Sequence, residues 1–283
     1  SIMGYAGICG TNVQNNSDAH FNYVNIRDIS ANIKPGGTST CATVTTTTNN
    51  PPTADAGFDY NIPKSTAFIL EGSATDADGM ASLTYEWSQN DPAQSPGSAA
   101  PQPTYTVGPM YRAKMQIASP NRYMPTLSDV IAGNLTPTWE VTPSVGRVMN
   151  FSFMVRDNEI NGAQTADDLM RVTVDGGSGP FTVTSQTSAV TWNEGANETI
   201  TWNVANTTAA PVSAANVDIF LSLDGGYTYP LTLATGVPNN GSASVIVPTG
   251  AATTSARVMV RGAGNIFYAL NSANFTITAS EFV

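Results

Sequence analysis

One histidine, His20, and two cysteines, Cys9 and Cys41, are the only side chains of those two kinds in 283 residues. A catalytic zinc takes about three protein ligands and keeps one position open, so this polypeptide alone builds no three-histidine peptidase centre. No Cys-x-x-Cys pair is present, which removes zinc-ribbon and dithiol redox chemistry. Charge is also scarce: 11% of residues are charged, against a usual quarter. What charge there is leans acidic, 21 against 11 for a net −10, and repels phosphate. Nucleic acid and anionic membranes are therefore not expected partners. No apolar run approaches a bilayer span, so membrane insertion is not expected either. Gly-x-Ser-x-Gly, phosphate-loop and dinucleotide fingerprints are missing. Ser1 opens no signal peptide, as expected of a processed or truncated start.

Thr, Asn, Ser and Gly are abundant beside a hydrophobic fraction of 41%. That is the composition of an extracellular β protein, so secretion or a cell-surface location is expected. The length predicts two or three domains. Residues 42–53, rich in Thr and ending near Pro51-Pro52, read as an extended linker. Residues 54–177 read as a first β-sandwich. Leu83, Tyr85 and Trp87 alternate, as do Met149, Phe151, Phe153 and Val155, and then Met170, Val172 and Val174; period two places one face on a core. Thr66–Gly72 is a further strand. Residues 90–146 form a long insertion, ordered by Tyr105, Met110, Tyr111, Tyr123, Met124 and Trp139 as apolar anchors.

Asp175 to Pro180 is a Gly-rich turn or hinge. Beyond it, residues 178–283 predict seven strands, at 181–184, 198–204, 217–223, 227–233, 242–247, 256–261 and 274–278. Asp224-Gly225-Gly226 is a hairpin signal between two of them. Short strands at this spacing predict an immunoglobulin- or fibronectin-like sandwich. In residues 1–41 a short helix is expected within Ser17–Ile33, capped by Asn25 with Asp28 three residues on, and with Ile26, Ile29 and Ile33 on its apolar face. Cys9 and Cys41 either close a disulfide, worth roughly 3–4 kcal/mol, or remain buried free thiols. The short segment and the secreted composition favour the disulfide.

Two resemblances give these pieces an order. Ser1-Ile2-Met3-Gly4-Tyr5 reads Ser-x-Met-x-Tyr and resembles the Met-turn of metzincin zinc proteases. Asn-Pro-Pro-Thr-Ala-Asp-Ala-Gly from Asn50, Gly-Ser-Ala-Thr-Asp-Ala-Asp-Gly from Gly72 and Leu-Thr-Tyr-Glu-Trp-Ser from Leu83 resemble PKD and related immunoglobulin-like domains. With Val155-Arg-Asp-Asn158 and the final sandwich, the order resembles the C-terminal half of secreted reprolysin-like metallopeptidases of Bacteroidetes type. The fold expected is thus mainly β: two consecutive immunoglobulin-, PKD- or fibronectin-like β-sandwich domains after a partly helical metzincin-tail remnant at 1–41. The resemblance implies a protease domain upstream, holding zinc on histidines that this chain lacks. It implies that Met3 floors that site and that Tyr5 stands where some metzincins place a zinc-binding tyrosine. Without the histidines, Met3 reduces to a core methionine and Tyr5 to a packed tyrosine.

The remaining candidates are few. A lone histidine such as His20 is most often a surface or capped residue. Asp76 and Asp78 sit on one turn, Asp157 with Asn158 and Glu159 on a second loop, and Asp167 with Asp168 on a third. Converging, they would supply oxygens for calcium, which takes six to eight; apart, they are ordinary turn formers. Trp87, Trp139, Trp192 and Trp202 are candidates to stack on sugars, although Trp87 and Trp202 alternate in phase with core residues. Asn134 and Asn206 open Asn-x-Thr triplets of the kind expected by chance in so Asn- and Thr-rich a chain. Three functions follow: a non-catalytic accessory region of a zinc metalloendopeptidase, contacting extracellular or cell-surface substrate; a structural or adhesive protein that self-associates through edge strands; or a carbohydrate-binding module with an exposed aromatic platform at Trp192.

Overall fold

A computed structural model describes the chain except residues 9, 11, 35, 39–42, 44, 93–99, 161 and 281–283. The expected disulfide between Cys9 and Cys41 lies outside the described residues. The protein is mainly β. One helix, α1 (Tyr23–Ile33), precedes the first half, which holds β1 (Tyr60–Pro63), β2 (Ala67–Glu71), β3 (Thr84–Gln89), β4 (Asn121–Met124), a five-residue helix α2 (Leu127–Ile131), β5 (Arg147–Arg156) and β6 (Thr165–Asp175). The second half holds β7 (Thr182–Val183), β8 (Thr191–Asn193), β9 (Asn197–Asn203), β10 (Asn216–Ser222), β11 (Leu231–Pro238), β12 (Ser242–Ile246), β13 (Thr253–Gly262), β14 (Phe267–Leu270) and β15 (Phe275–Thr278).

In the first half, a sheet ordered β1-β6-β5-β3 packs on β2 and β4. The alternating sets point inward as expected: Trp87, Phe151, Phe153, Val155, Met170 and Val172 are all buried. Phe68 of β2 meets Phe151 of β5 edge-on at 6.2 Å, closing the sandwich across its two sheets. The second half sets β12-β9-β7 against β10 and β13, with Ile200 and Trp202 facing Val217, Ile219, Val258 and Val260 in one core.

The halves are joined by backbone, not only by the chain between them. β14 pairs antiparallel with β2, Phe267 opposite Phe68 and Tyr268 opposite Ala67. One sheet therefore runs β11-β10-β13-β14-β2-β4 across the boundary. Arg261 on β13 forks onto the Glu71 carboxylate of β2. The segment after β6 is held to β2's approach: Lys64 donates its amide to Ser178 O at 3.1 Å and Phe181 to Thr66 Oγ1 at 3.0 Å. The Gly-rich junction thus turns against the first sandwich.

Several local expectations are corrected. Asn22, not Asn25, caps α1, accepting the Asn25 amide at 3.4 Å. Asn25 is already inside the helix, where its side chain accepts from Ser1 Oγ. The strand expected at 227–233 begins only at Leu231, so residues 223–230 make a broad connection and Asp224-Gly-Gly is no two-residue hairpin. Ser222 Oγ, the Thr228 hydroxyl and the Tyr227 and Thr228 amides all donate to Asp224. Burial pushes that carboxyl up, but these donors outweigh it and hold it at about 2. β8 is too short for its alternation to register and β14 is buried at three successive positions; β8 owes its place to distant parallel pairing with β15, and β14 to a hairpin with β13 and to distant pairing with β2.

Candidate functional site

A concave site that gathers residues singled out by sequence lies between the N-terminal segment and the insertion. α1 and the turns before it are fastened onto the outer face of the first sandwich. Alternation along β3 sends Tyr85 and Trp87 inward, so Glu86 and Ser88 point outward, yet both are only 3% exposed because the segment covers them. Arg156 donates to Glu86 Oε2 at 2.7 Å and to Phe21 O at 2.5 Å. Ser88 Oγ donates to Glu86 Oε1 at 2.6 Å. His20 closes the cluster, its Nε2 3.8 Å from Glu86 Oε1.

His20 is 5% exposed and neither ring nitrogen has a hydrogen-bond partner, which corrects the expectation of a surface or capped histidine. Burial pulls its pKa below the ordinary value, against the Glu86 charge that favours the proton. A zinc does not fit here. Among the described residues no three His, Cys, Asp or Glu side chains converge to hold a metal.

Further along the segment, Arg112 from the insertion reaches Gln14 and lies 3.7 Å from Asp18. Between these groups is a cleft of about 370 Å³ walled by Tyr5, Val13, Asp18, Arg112 and Trp139. Trp139 has φ 72°, a left-handed backbone that a bulky side chain rarely adopts. Its neighbours hold it there. The Arg112 amide donates to Trp139 O at 2.8 Å, and Glu140 is buried beneath, receiving Arg122 and Lys114 at 2.8 Å each and the Thr126 amide at 3.0 Å.

Met3 is 60% exposed and Tyr5 84%, so neither is the packed residue expected in the absence of zinc ligands. Ile2, Ile8, Val13, Ile29 and Ile33 of the same segment are also exposed. Among the described residues no three of the calcium candidates converge. Asp78 accepts the Asn50 amide at 2.6 Å, and Asp157 accepts Asn49 Nδ2 at 2.6 Å. These carboxylates clamp the end of the linker onto the first sandwich. Asp76 accepts the Asp78 amide, Asp168 that of Ala56, and the pKa of Asp167 is raised by partial desolvation and then by Asp168. Among the tryptophans, Trp87 and Trp202 are buried and donate to Pro120 O and Asn239 Oδ1, each at 2.8 Å. Trp192 is 2% exposed against Phe275, at 4.4 Å between rings, so the expected sugar platform is corrected: that face is core. Asn134 and Asn206 are exposed.

Glu86, Arg156, Arg122 and Glu140 were not legible as a site. The one available signal is a charge set between inward aromatics, as in Tyr85-Glu86-Trp87, in a chain so short of charge.

No family model matches the chain, and no curated protein matches it. Solved structures that it is similar to include the Ig1-2 module of the Drosophila receptor protein tyrosine phosphatase DLAR, at 7% identity and a TM-score of 0.35, covering 82% of this chain and 100% of that one. Clostridium thermocellum CbhA fibronectin(III)-like modules stand at 11% and 0.27, covering 81% and 93%. SGBP-B of the Bacteroides ovatus mixed-linkage glucan utilization locus, in complex with a heptasaccharide, stands at 13% and 0.22, covering 81% of this chain and 48% of that one. Likenesses this slight carry nothing about function. No helix among the described residues is long and apolar enough to cross a membrane.

Proposed function

We propose that the chain is the non-catalytic accessory region of a secreted zinc metalloendopeptidase, with residues 1–41 the tail of its protease domain, against which the rest of that domain packs. The observation that carries this reading is an apolar surface on an anchored segment. Ile2, Met3, Tyr5, Ile8, Val13, Ile29 and Ile33 are exposed on a stretch that His20, Arg112 and Arg156 fasten to the first sandwich. Apolar side chains concentrated on one short segment are the mark of a surface made for a partner. The Ser-x-Met-x-Tyr resemblance names the partner, a catalytic domain whose zinc sits on its own histidines. The two sandwiches, sharing one sheet, then act as a stiff spacer between that domain and the substrate or cell surface on which it works.

The test is intact mass and chelator-sensitive peptide hydrolysis of the protein taken from its source, beside this chain alone. A native mass well above that of 283 residues, with hydrolysis only in the longer species, supports the reading. Chelator-sensitive hydrolysis by this chain alone overturns it, and so does a native mass equal to this chain's.

A second reading rests on β11. This edge strand of eight residues, LTLATGVP, carries no charged side chain, so only Pro238 and the register shifts against β10 guard it against pairing with another copy. Sedimentation that shows a concentration-dependent dimer, abolished by Thr232→Lys, would favour self-association.

A further inference from the structure

The seam between the halves holds a second pocket, of about 250 Å³, remote in sequence from the N-terminal cleft. Its walls are apolar: Ala67 of β2, Val130 and Leu135 from α2 and the turn after it, Phe181, and Leu270 of β14. Into this setting comes Arg257 of β13, only 6% exposed. Its Nη1 donates to Ile131 O at 3.1 Å and Asn271 O at 3.3 Å, and its Nε and Nη2 to Asn274 Oδ1 at 3.1 and 2.8 Å. All those acceptors are neutral. Among the described residues no carboxylate lies within 4.0 Å of it.

A guanidinium has five N–H donors. The contacts above use four and leave one on Nη2. A buried cation without a counter-ion is costly, and the carbonyl at the end of a five-residue helix offers only a partial charge against it. Tyr268, wholly buried, also lines the pocket, and its hydroxyl has no hydrogen-bond partner. An apolar cavity between two domains, with a few polar groups at one side, is the ordinary form of a small-molecule site.

We propose that this pocket binds a small monocarboxylate with an apolar body, the carboxylate meeting Arg257 and the hydrocarbon lying among Val130, Leu135 and Leu270. At about 30 Å³ per water-sized unit, the volume admits roughly eight non-hydrogen atoms. Hexanoate is of that size. Charge-assisted hydrogen bonds to a guanidinium are stronger than neutral ones, so the charge of the head group should set the affinity.

The test titrates the folded chain with hexanoate, hexan-1-ol and acetate, followed by amide chemical shifts. Hexanoate is expected to give saturable shifts centred on Val130, Leu135 and Asn271. Hexan-1-ol, which keeps the body but not the charge, should bind at least tenfold more weakly, as should acetate, which keeps only the charge. Arg257→Met should remove the hexanoate response. Should that variant fail to fold, Tyr268→Phe and the wild-type charge series still decide. Equal binding of hexan-1-ol and hexanoate, no saturable shift with any of the three, or full hexanoate binding by folded Arg257→Met would each overturn the proposal.

Discussion

Replacing Arg122 with methionine tests whether the insertion at 90–146 is built into the first sandwich or merely laid upon it. The Arg122 side chain is 10% exposed and bridges three places: Glu140 Oε1 at 2.8 Å, Trp87 O at 2.5 Å and Arg112 O at 2.7 Å. Methionine keeps much of the stem and removes every donor. Glu140, itself 5% exposed at its side chain, then keeps Lys114 and Thr126 but loses its buried partner. Taking one member from a buried ion pair costs about 3–5 kcal/mol, because the other charge is left in a poor solvent. At about 2–4 °C per kcal/mol for a domain of this order, Tm should fall by about 6–20 °C. Lys114→Met is the control. Its side chain is 41% exposed, and losing such a pair costs about 0–1 kcal/mol. Calorimetry of both variants measures the difference. The reasoning would fail if the two variants melted within a degree or two of each other, for then the burial of Arg122 adds nothing. Because Glu140 follows Trp139, Arg122→Met should also loosen the indole at the cleft and raise its quenching by iodide.

Acid should release the N-terminal segment before it unfolds the sandwiches. Burial lowers the folded pKa of His20 below its ordinary 6.5, so the unfolded chain binds the proton more readily. Stability is therefore full above about 6.5 and falls as pH drops through the folded value. Proteolysis of residues 1–33 should quicken between pH 7 and 5 in the wild type and stay flat in His20→Leu; the same profile in both would remove His20 from the account. Trp192→Ala should destabilise by about 3–5 kcal/mol in denaturant titration, as a large buried aromatic does, with wild-type binding to a glycan array. A surface residue would cost under 1 kcal/mol. Gly72→Ala should cost about 1–3 kcal/mol, since its Cβ would stand 2.5 Å from the Phe153 ring in a filled core. A neutral result would mean that the ring has room to move.

The inner faces of the sandwiches were legible because burial imposes period two on the long strands. Phe151, Phe153 and Val155 alternate because each second residue of β5 meets the core, and Val217, Ile219 and Leu221 do the same on β10. Strands that exist through distant pairing left no such trace. β8 is three residues long beside β15, some eighty residues later, and β14, beyond its hairpin with β13, is placed by β2 of the other half. The candidate site was legible only at its rim. Tyr5 and Trp139 stood out as aromatics, but nothing local shows that Arg112 from the insertion meets Asp18 across the cleft. His20 was misplaced because its burial depends on Glu86 and Arg156, far along the chain.

The same buried charges explain how so uncharged a protein holds its irregular parts. Apolar packing suffices inside each sandwich, where strands present matched faces. The insertion sends Met110, Tyr111 and Met124 into the core, and its irregular backbone and the N-terminal segment are each further fixed by an arginine that collects carbonyl oxygen and one carboxylate: Arg122 with Trp87 O, Arg112 O and Glu140, Arg156 with Phe21 O and Glu86. An arginine fork suits this use because it satisfies several backbone acceptors at once, which irregular backbone leaves unpaired. Arg257 follows the pattern at the seam, gathering Ile131 O and Asn271 O, and departs from it in one respect: among the described residues it has no carboxylate partner. That departure separates the seam pocket from the structural fastenings, and it is why a carboxylate from outside the chain is the ligand to seek there.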